Sequence, residues 1–289
     1  MTADLLLNFW RYYKFLGLIT RDLRDLIEEN ESEFSSLWAQ RFKEIECADF
    51  YVNGDFPGDY FFNKTKILSP CSNTHLLITQ AKRIFFSNKL DCFIHSHEDL
   101  AFENTNNILE DEGFSCVDTM LVFSTGQDTL DVTECKLGYE ADLVQIIAVD
   151  KASVSIWVDV FCKAFNAEDW YHQIYNVTAT NYSRFNLQLL MIRSDSVFVP
   201  AACSLLFCHK KVMGLYCLGT LPKFRRKGLA SQILKSSILT ARDKRMKLFF
   251  VQSFMNDGYA TMYNKAGLNM EYKKRVYALY RGQGCQQGC

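Results

Sequence analysis

Residues 221–234, "LPKFRRKGLASQIL", bring three cations, Arg225, Arg226 and Lys227, directly before Gly228 and the start of a helical pattern. A helix N-terminus offers unpaired backbone N–H groups and a partial positive charge, so it holds phosphate readily. Glycine lets the backbone approach an anion closely, and flanking arginines add charge. Residues Arg225, Arg226, Lys227, Gly228, Leu229, Ala230 and Ser231 thus read as a cradle for a pyrophosphate. Gly214 to Gly219 is a near miss for a nucleotide-hydrolysing loop. Thr220 stands where that loop needs lysine, which argues against nucleotide hydrolysis.

The elements around the cradle place it at a strand-to-helix turn. "LVQIIAVD", "LQLLMIRSD", "VPAACSLLF", "VMGLYCL", "LFFVQSF" and "KKRVYALY" read as strands. "KASVSIWVDVFCKAFN" is an amphipathic helix, "EDWYHQIYNVTATNYSRF" a second helix and loop, and "DGYATMYNKAGL" a helix ending at Gly267. Upstream, residues 4–46 read as helix. "DFYVNGDFPGDYFFNKTKIL" gives strands around a Gly/Pro turn, and "THLLITQAKRIFFSN" a helix. "DCFIHS" is a strand, "ENTNNILEDEGF" a helix and "CVDTMLVFS" a strand. The Gly/Asp/Thr-rich patch "STGQDTLD" marks a boundary near residue 130. Helix, Glu-Gly-Phe and strand at the end of the first half echo the end of the second, as an internal duplication would.

The signature Arg225-Arg226-Lys227-Gly228-Leu229-Ala230 resembles the Arg/Gln-x-x-Gly-x-Gly/Ala motif of the GNAT family, the acetyl-coenzyme A-dependent N-acetyltransferases. Downstream, Asn256, Ala260, Tyr263, Lys265 and Gly267-Leu268 resemble that family's second motif. The resemblance covers roughly residues 143–281. It implies a mixed α/β (α+β) architecture: two GNAT-like domains in tandem, with mostly antiparallel strands flanked by helices. Residues 1–133 would be a degenerate copy and 143–289 the intact one. "ILEDEGF" fits the second motif in the first half, but no glycine stands between "YFFNKTKIL" and "DCFIHS" to cradle phosphate, so that half is expected not to bind cofactor.

The chemistry implied is acetyl transfer from acetyl-coenzyme A to a small-molecule or protein amine. The loop would hold the phosphates. Leu218, Gly219 and Thr220 would pair with the pantetheine arm, and a backbone N–H near Leu218 would stabilise the thioester oxygen. Asn256 would contact the cofactor or cap the following helix. Tyr263 is the family-type general acid; a phenol near pKa ~10 suits delivery of a proton to a thiolate whose acid form is near ~8.5. Tyr216 and Cys217 occupy the strand where many relatives carry a basic glutamate. The base is therefore sought among Glu168, Asp169 and His172, or a water chain.

Composition bounds the alternatives. The 289 residues are 48% hydrophobic with 4 prolines, enough for one large core or two. A formal net charge of −1 hides an asymmetry. Residues 201–289 hold 16 lysines and arginines against Asp243, Asp257 and Glu271, whereas residues 1–200 hold 30 acids against 16 bases. A basic end points to an anionic partner or a solvated face, so a nucleic-acid or protein-binding module, or a cofactor sensor without catalysis, stands beside the enzyme reading. Eleven cysteines without a CxxC pair, and no signal-like leader, argue for reduced thiols in a cytoplasmic protein. Cys203, Cys208 and Cys217 read as core residues, and Cys285 and Cys289 as part of a frayed Gly/Gln tail. No apolar run is long enough to span a bilayer. His95 and His97, with Glu98 and Asp99, lack a third ligand at a useful spacing, so no metal is expected.

Overall fold

A computed structural model describes residues 23–126, 143–194 and 196–282. The expected boundary near residue 130, residues 4–22 of the expected first helix, and Cys285 and Cys289 lie outside the described residues.

Helix α1 (residues 23–38) is followed by strands β1 (Gln40–Ile45), β2 (Ala48–Val52) and β3 (Lys64–Ile67). Then come α2 (Thr74–Ser87), β4 (Cys92–His97), α3 (Glu103–Asp111) and β5 (Ser115–Gly126). The second half runs β6 (Val144–Ala148), α4 (Val154–Phe165), α5 (Tyr171–Thr180), β7 (Phe185–Ser194), β8 (Val197–His209) and β9 (Val212–Thr220). It closes with α6 (Leu229–Asp243), β10 (Leu248–Phe254), α7 (Ala260–Lys265) and β11 (Asn269–Leu279). The helix expected over 4–46 therefore stops at residue 38. Residues 40–45 form a strand, because Arg41 pairs across the hairpin with the buried Asp49 (Nε to Oδ2, 3.0 Å) and the backbone joins β2.

Among the described residues, eleven strands form one sheet, in the order β1-β2-β3-β4-β11-β5-β10-β9-β8-β7-β6. Only β3·β4 and β9·β10 are parallel. Each parallel pair is joined through a helix, α2 or α6, and each is followed by a short helix and a last strand. Those last strands are exchanged. β5, from the first half, lies against β10 of the second, and β11 lies against β4 of the first. β5 and β11 pair with each other at the centre.

Helices cover both faces. α2 buries Leu77, Ile78, Ala81, Ile84 and Phe85 against Phe50, Ile94, Tyr277 and Leu279. α6 and α7 pack on the same face of the second half, on Leu121, Phe123, Leu215 and Val251. α4 packs on the opposite face, over Cys203, Leu205 and Phe207. α1 bridges the halves on that face. Its Ile27 joins Val122 and Phe250, and its Phe34 stacks on Tyr216 at 3.8 Å.

Between α1 and the sheet lies a buried ionic network. Glu28 and Glu31 of α1 meet Lys64 and Lys66 of β3 and Lys274 of β11, and all five are at most 6% exposed. Lys64 Nζ is 3.2 Å from Glu31, Lys66 Nζ is 2.8 Å from Glu28, and Lys274 contacts both carboxylates. Gln252 of β10 donates to Glu31, and Tyr272 to Glu28. The neighbours Lys273 and Arg275 reach Glu98 at 4.0 and 3.5 Å. The positive charge of "KKR" is thus met inside the chain, by acids of the first half.

Candidate active site

β9 carries the irregularity on which the site turns. Cys217 has a left-handed backbone (φ 54°), and the β8·β9 register slips opposite it, between Cys203 and Leu205. β9 pairs with β10 only from Val212 to Leu215, against Leu248 to Val251. Beyond Tyr216 and Gln252 the two parallel strands part, leaving one backbone edge of Leu218, Gly219 and Thr220 unpaired. Such an edge can pair with an extended amide-bearing ligand. Gly219 is confined: a Cβ there would stand 2.6 Å from Phe165 and 2.9 Å from the Ala164 methyl, so the end of α4 presses directly on β9.

Residues Pro222–Phe224 make a single tight turn, and the chain then enters α6 through two left-handed residues, Arg226 (φ 61°) and Gly228 (φ 81°). No side chain caps α6. Its first turn, Leu229 to Ser231, therefore presents backbone donors beside the exposed Arg226 and Lys227. Arg225 has a different part: its Nε donates to Thr220 O (3.1 Å) and its Nη2 to Ala164 O (2.8 Å), tying the loop to β9 and α4. Leu229, 1% exposed, seats the helix on Leu190, Ile192 and Ala202.

Tyr263 of α7 is 3% exposed and packs on Phe123, ring centroids 5.1 Å apart. Burial pushes its phenol well above the usual range, while a hydrogen bond with Ser253 pulls the other way. Ser253 lies two residues past the last paired residue of β10, so this hydroxyl pair stands at the parting of the strands. Asn256 is exposed in the turn Met255–Asp257 and does not cap α7, whose N-cap is Tyr259. Glu168, Asp169 and His172 are exposed on and before α5. Cys203 is buried, its thiol pushed up by burial, in keeping with a core role, and Cys217 is half-buried; Cys208, near the end of β8, is exposed, which corrects its reading as a core residue.

Two carboxylates at this end of β10 escaped the sequence reading as site residues. Asp118 of β5 accepts from the Tyr60 hydroxyl at 3.3 Å. Asp257 follows β10, and its carboxyl is raised by partial burial and by Asp118. Only the strand exchange brings Asp118 here.

The matching place in the first half is built differently. Asn73 caps α2 through its side chain, accepting from Leu76 N at 2.9 Å, and Leu68 N and Ser69 N both donate to Cys47 O. Cys47 and Cys71 form a disulfide across this loop, which corrects the expectation of reduced thiols at these two positions: the hairpin turn and the loop bring their Cα atoms to 5.5 Å. Among the described residues, no three His, Cys, Asp or Glu side chains are grouped to hold a metal, and no helix is long and apolar enough to cross a membrane.

No protein-family model matches the sequence, and no curated protein matches it. Solved structures do. A GCN5-related N-acetyltransferase from Kribbella flavida is similar over 88% of this chain and 94% of its own, with a TM-score of 0.64 and 13% identity. A GCN5-related N-acetyltransferase from Sphaerobacter thermophilus covers 81% and 76%, with a TM-score of 0.60 and 9% identity. A tandem GNAT protein from the clavulanic acid biosynthesis pathway covers 81% and 78%, at a TM-score of 0.53 and 8% identity. The chain has the fold of the GCN5-related N-acetyltransferases, a mixed α/β sheet flanked by helices.

Proposed function

We propose that the chain moves an acetyl group from acetyl-coenzyme A to a primary amine by direct attack. The observation that carries this reading is the join of two features: a bulged β9 parting from β10, and an uncapped α6 entered through left-handed Arg226 and Gly228. The first supplies an extended backbone edge, and the second an anion cradle. In this reading the N–H groups of Leu229 to Ser231, with Arg226 and Lys227, hold the pyrophosphate. Leu218 to Thr220 pair with the pantetheine amides, and a backbone N–H beside the bulge meets the charge that develops on the thioester oxygen. Tyr263 gives its proton to the leaving thiolate. Arg225 acts as a positioning residue for the loop, and Asn256 is free to face the cofactor. The first half, with its N-capped α2 and disulfide-closed loop, would serve as scaffold, as expected of a degenerate copy.

Calorimetric titration of acetyl-coenzyme A tests the reading. Saturable binding to the wild type that disappears in Gly228→Trp is expected; no binding to the wild type overturns it. A second reading, a coenzyme A sensor without turnover, is favoured by one observation: the burial that makes the Tyr263 phenol a weaker acid. Release of free thiol from acetyl-coenzyme A in the presence of an amine panel separates the two.

A further inference from the structure

A left-handed backbone at a residue that carries a Cβ persists only where its surroundings hold it. Cys217 is such a residue, at the bulge of β9. The ladder there sets Leu205 opposite Tyr216 and then Cys203 opposite Gly219. It passes over Ser204 on β8, and over Cys217 and Leu218 on β9. Two fully buried side chains serve this gap. Trp157 of α4 donates its indole N–H to Ser204 O at 2.9 Å. Cys203 donates its thiol to Cys217 O at 3.6 Å. The same sulfur takes a hydrogen bond from the Gly219 backbone N–H. One thiol therefore bridges the backbone on both sides of Leu218.

This contact fixes the direction of a third group. A trans peptide points its carbonyl and its N–H in opposite directions, and no peptide is cis among the described residues. The peptide between Cys217 and Leu218 has its carbonyl drawn to Cys203, which lies under α4. Its N–H, that of Leu218, is therefore turned away from Cys203 and α4. Tyr263 lies on that other side of the sheet, in the cluster under α6 and α7. The rest of the edge is held by separate contacts: the end of α4 presses on Gly219, and Arg225 ties down Thr220 O.

We propose that Cys203 is a positioning residue for acyl transfer: by holding the Cys217 carbonyl, its thiol aims the Leu218 N–H at the thioester oxygen. This inference rests on the acyl-transfer reading and says which side chain gives the bulge its catalytic direction. Sulfur suits the place. An S–H donor with its long C–S bond spans the 3.6 Å to Cys217 O, whereas an O–H donor needs about 3.0 Å or less. Serine at this position would hold the carbonyl in part, and alanine would not hold it.

The test follows the thioester carbonyl itself. Acetyl-coenzyme A labelled isotopically at the acetyl carbonyl is added to the full chain. Its binding is read by calorimetry and its carbonyl stretch by infrared difference spectroscopy. A hydrogen bond from Leu218 N–H lowers that stretch, so the wild type is expected to bind the thioester and lower it. Cys203→Ala is expected to bind within about twofold of the wild type, since its other contacts are intact, yet to lose most of the lowering. Cys203→Ser is expected to fall between the two. An equal lowering in Cys203→Ala overturns the proposal, as does a stretch that the wild type leaves where it is in water. A second measurement needs no variant: in isotopically labelled wild type the Leu218 amide proton is expected to move downfield when acetyl-coenzyme A is added, and a resonance that stays in place overturns the proposal. The two readings fail separately. Absence of calorimetric binding to the wild type ends the acyl-transfer reading and this one with it; binding with a carbonyl indifferent to Cys203 ends this one alone.

Discussion

Glu31→Gln keeps the shape of a side chain at the centre of the buried network and removes its charge. Three lysine ammonium groups, Lys64, Lys66 and Lys274, lie within 3.3 Å of its carboxylate, and both sides are at most 3% exposed. In the variant only Glu28 is left to balance three buried cations. Removing one partner of a buried pair costs about 3–5 kcal/mol, because the cost of taking the other charges out of water is no longer offset. With a urea dependence of about 3 kcal/mol per molar for a chain of this size, the unfolding midpoint falls by about 1–1.7 M. The control is Glu33→Gln. Glu33 meets Arg41 at 3.2 Å but its side chain is 33% exposed, so its loss should cost about 1 kcal/mol or less. The network joins α1 and β3 to the exchanged strand β11, so far-ultraviolet circular dichroism and tryptophan fluorescence should report one shared transition. Equal midpoint shifts for the two variants, or a transition that splits with only one part responding to Glu31→Gln, would refute the reasoning. Acid gives an independent reading. Burial raises the Glu28 carboxyl, but Lys274 and Lys66 overcome it and hold it at about 2, below its ordinary value of about 4.5. A depressed carboxylate stabilises fully above the unfolded-state value, so the wild type should lose this contribution as pH falls from about 4.5 towards 2.

Tyr263→Phe should lower turnover by about a hundredfold or more at unchanged acetyl-coenzyme A affinity. Because burial raises the phenol, the proton it must give is retained in alkaline solution, and the rate should show no fall from its ionisation up to pH about 10. Gly219→Ala drives a methyl into Phe165 and Ala164 and should cost about 1–3 kcal/mol, read as a lowered melting temperature with weaker acetyl-coenzyme A binding. Cys47→Ser opens a bridge between residues 24 apart; loop entropy puts the loss at about 3–4 kcal/mol, or a melting temperature lower by about 10 °C. An unchanged melting temperature would mean that the bridge does not form in solution.

Local signals are legible where a residue type has one physical use. Gly228 and the helical pattern after it announce a loop-to-helix turn, and the structure has one there, with Gly228 left-handed directly before α6. The strands from β6 to β11 alternate clearly enough to be found one by one. What alternation does not carry is pairing order. Nothing in "KKRVYALY" says that Lys274 is 1% exposed under α1, since a lysine between charged neighbours reads as solvated unless its partner is known. The place of Asp118 was illegible for the same reason: it comes to the end of β10 only through the pairing of β5 with that strand. Residues 40–45 read as helix because the aromatic and charged pattern of α1 runs on without a glycine or proline to stop it, and only the β2 hairpin decides otherwise.

The exchange of β5 and β11 also sets the order of events on the ribosome. Tyr277 and Glu110, hydrogen-bonded in the finished sheet, are 167 residues apart. While the second half is being made, β4 and β5 each expose a strand edge, and the slot between them stays open until β11 has emerged. Pairings across such distances form slowly, and waiting edges invite association with other chains. The first half therefore completes its sheet only with a strand supplied by the second half.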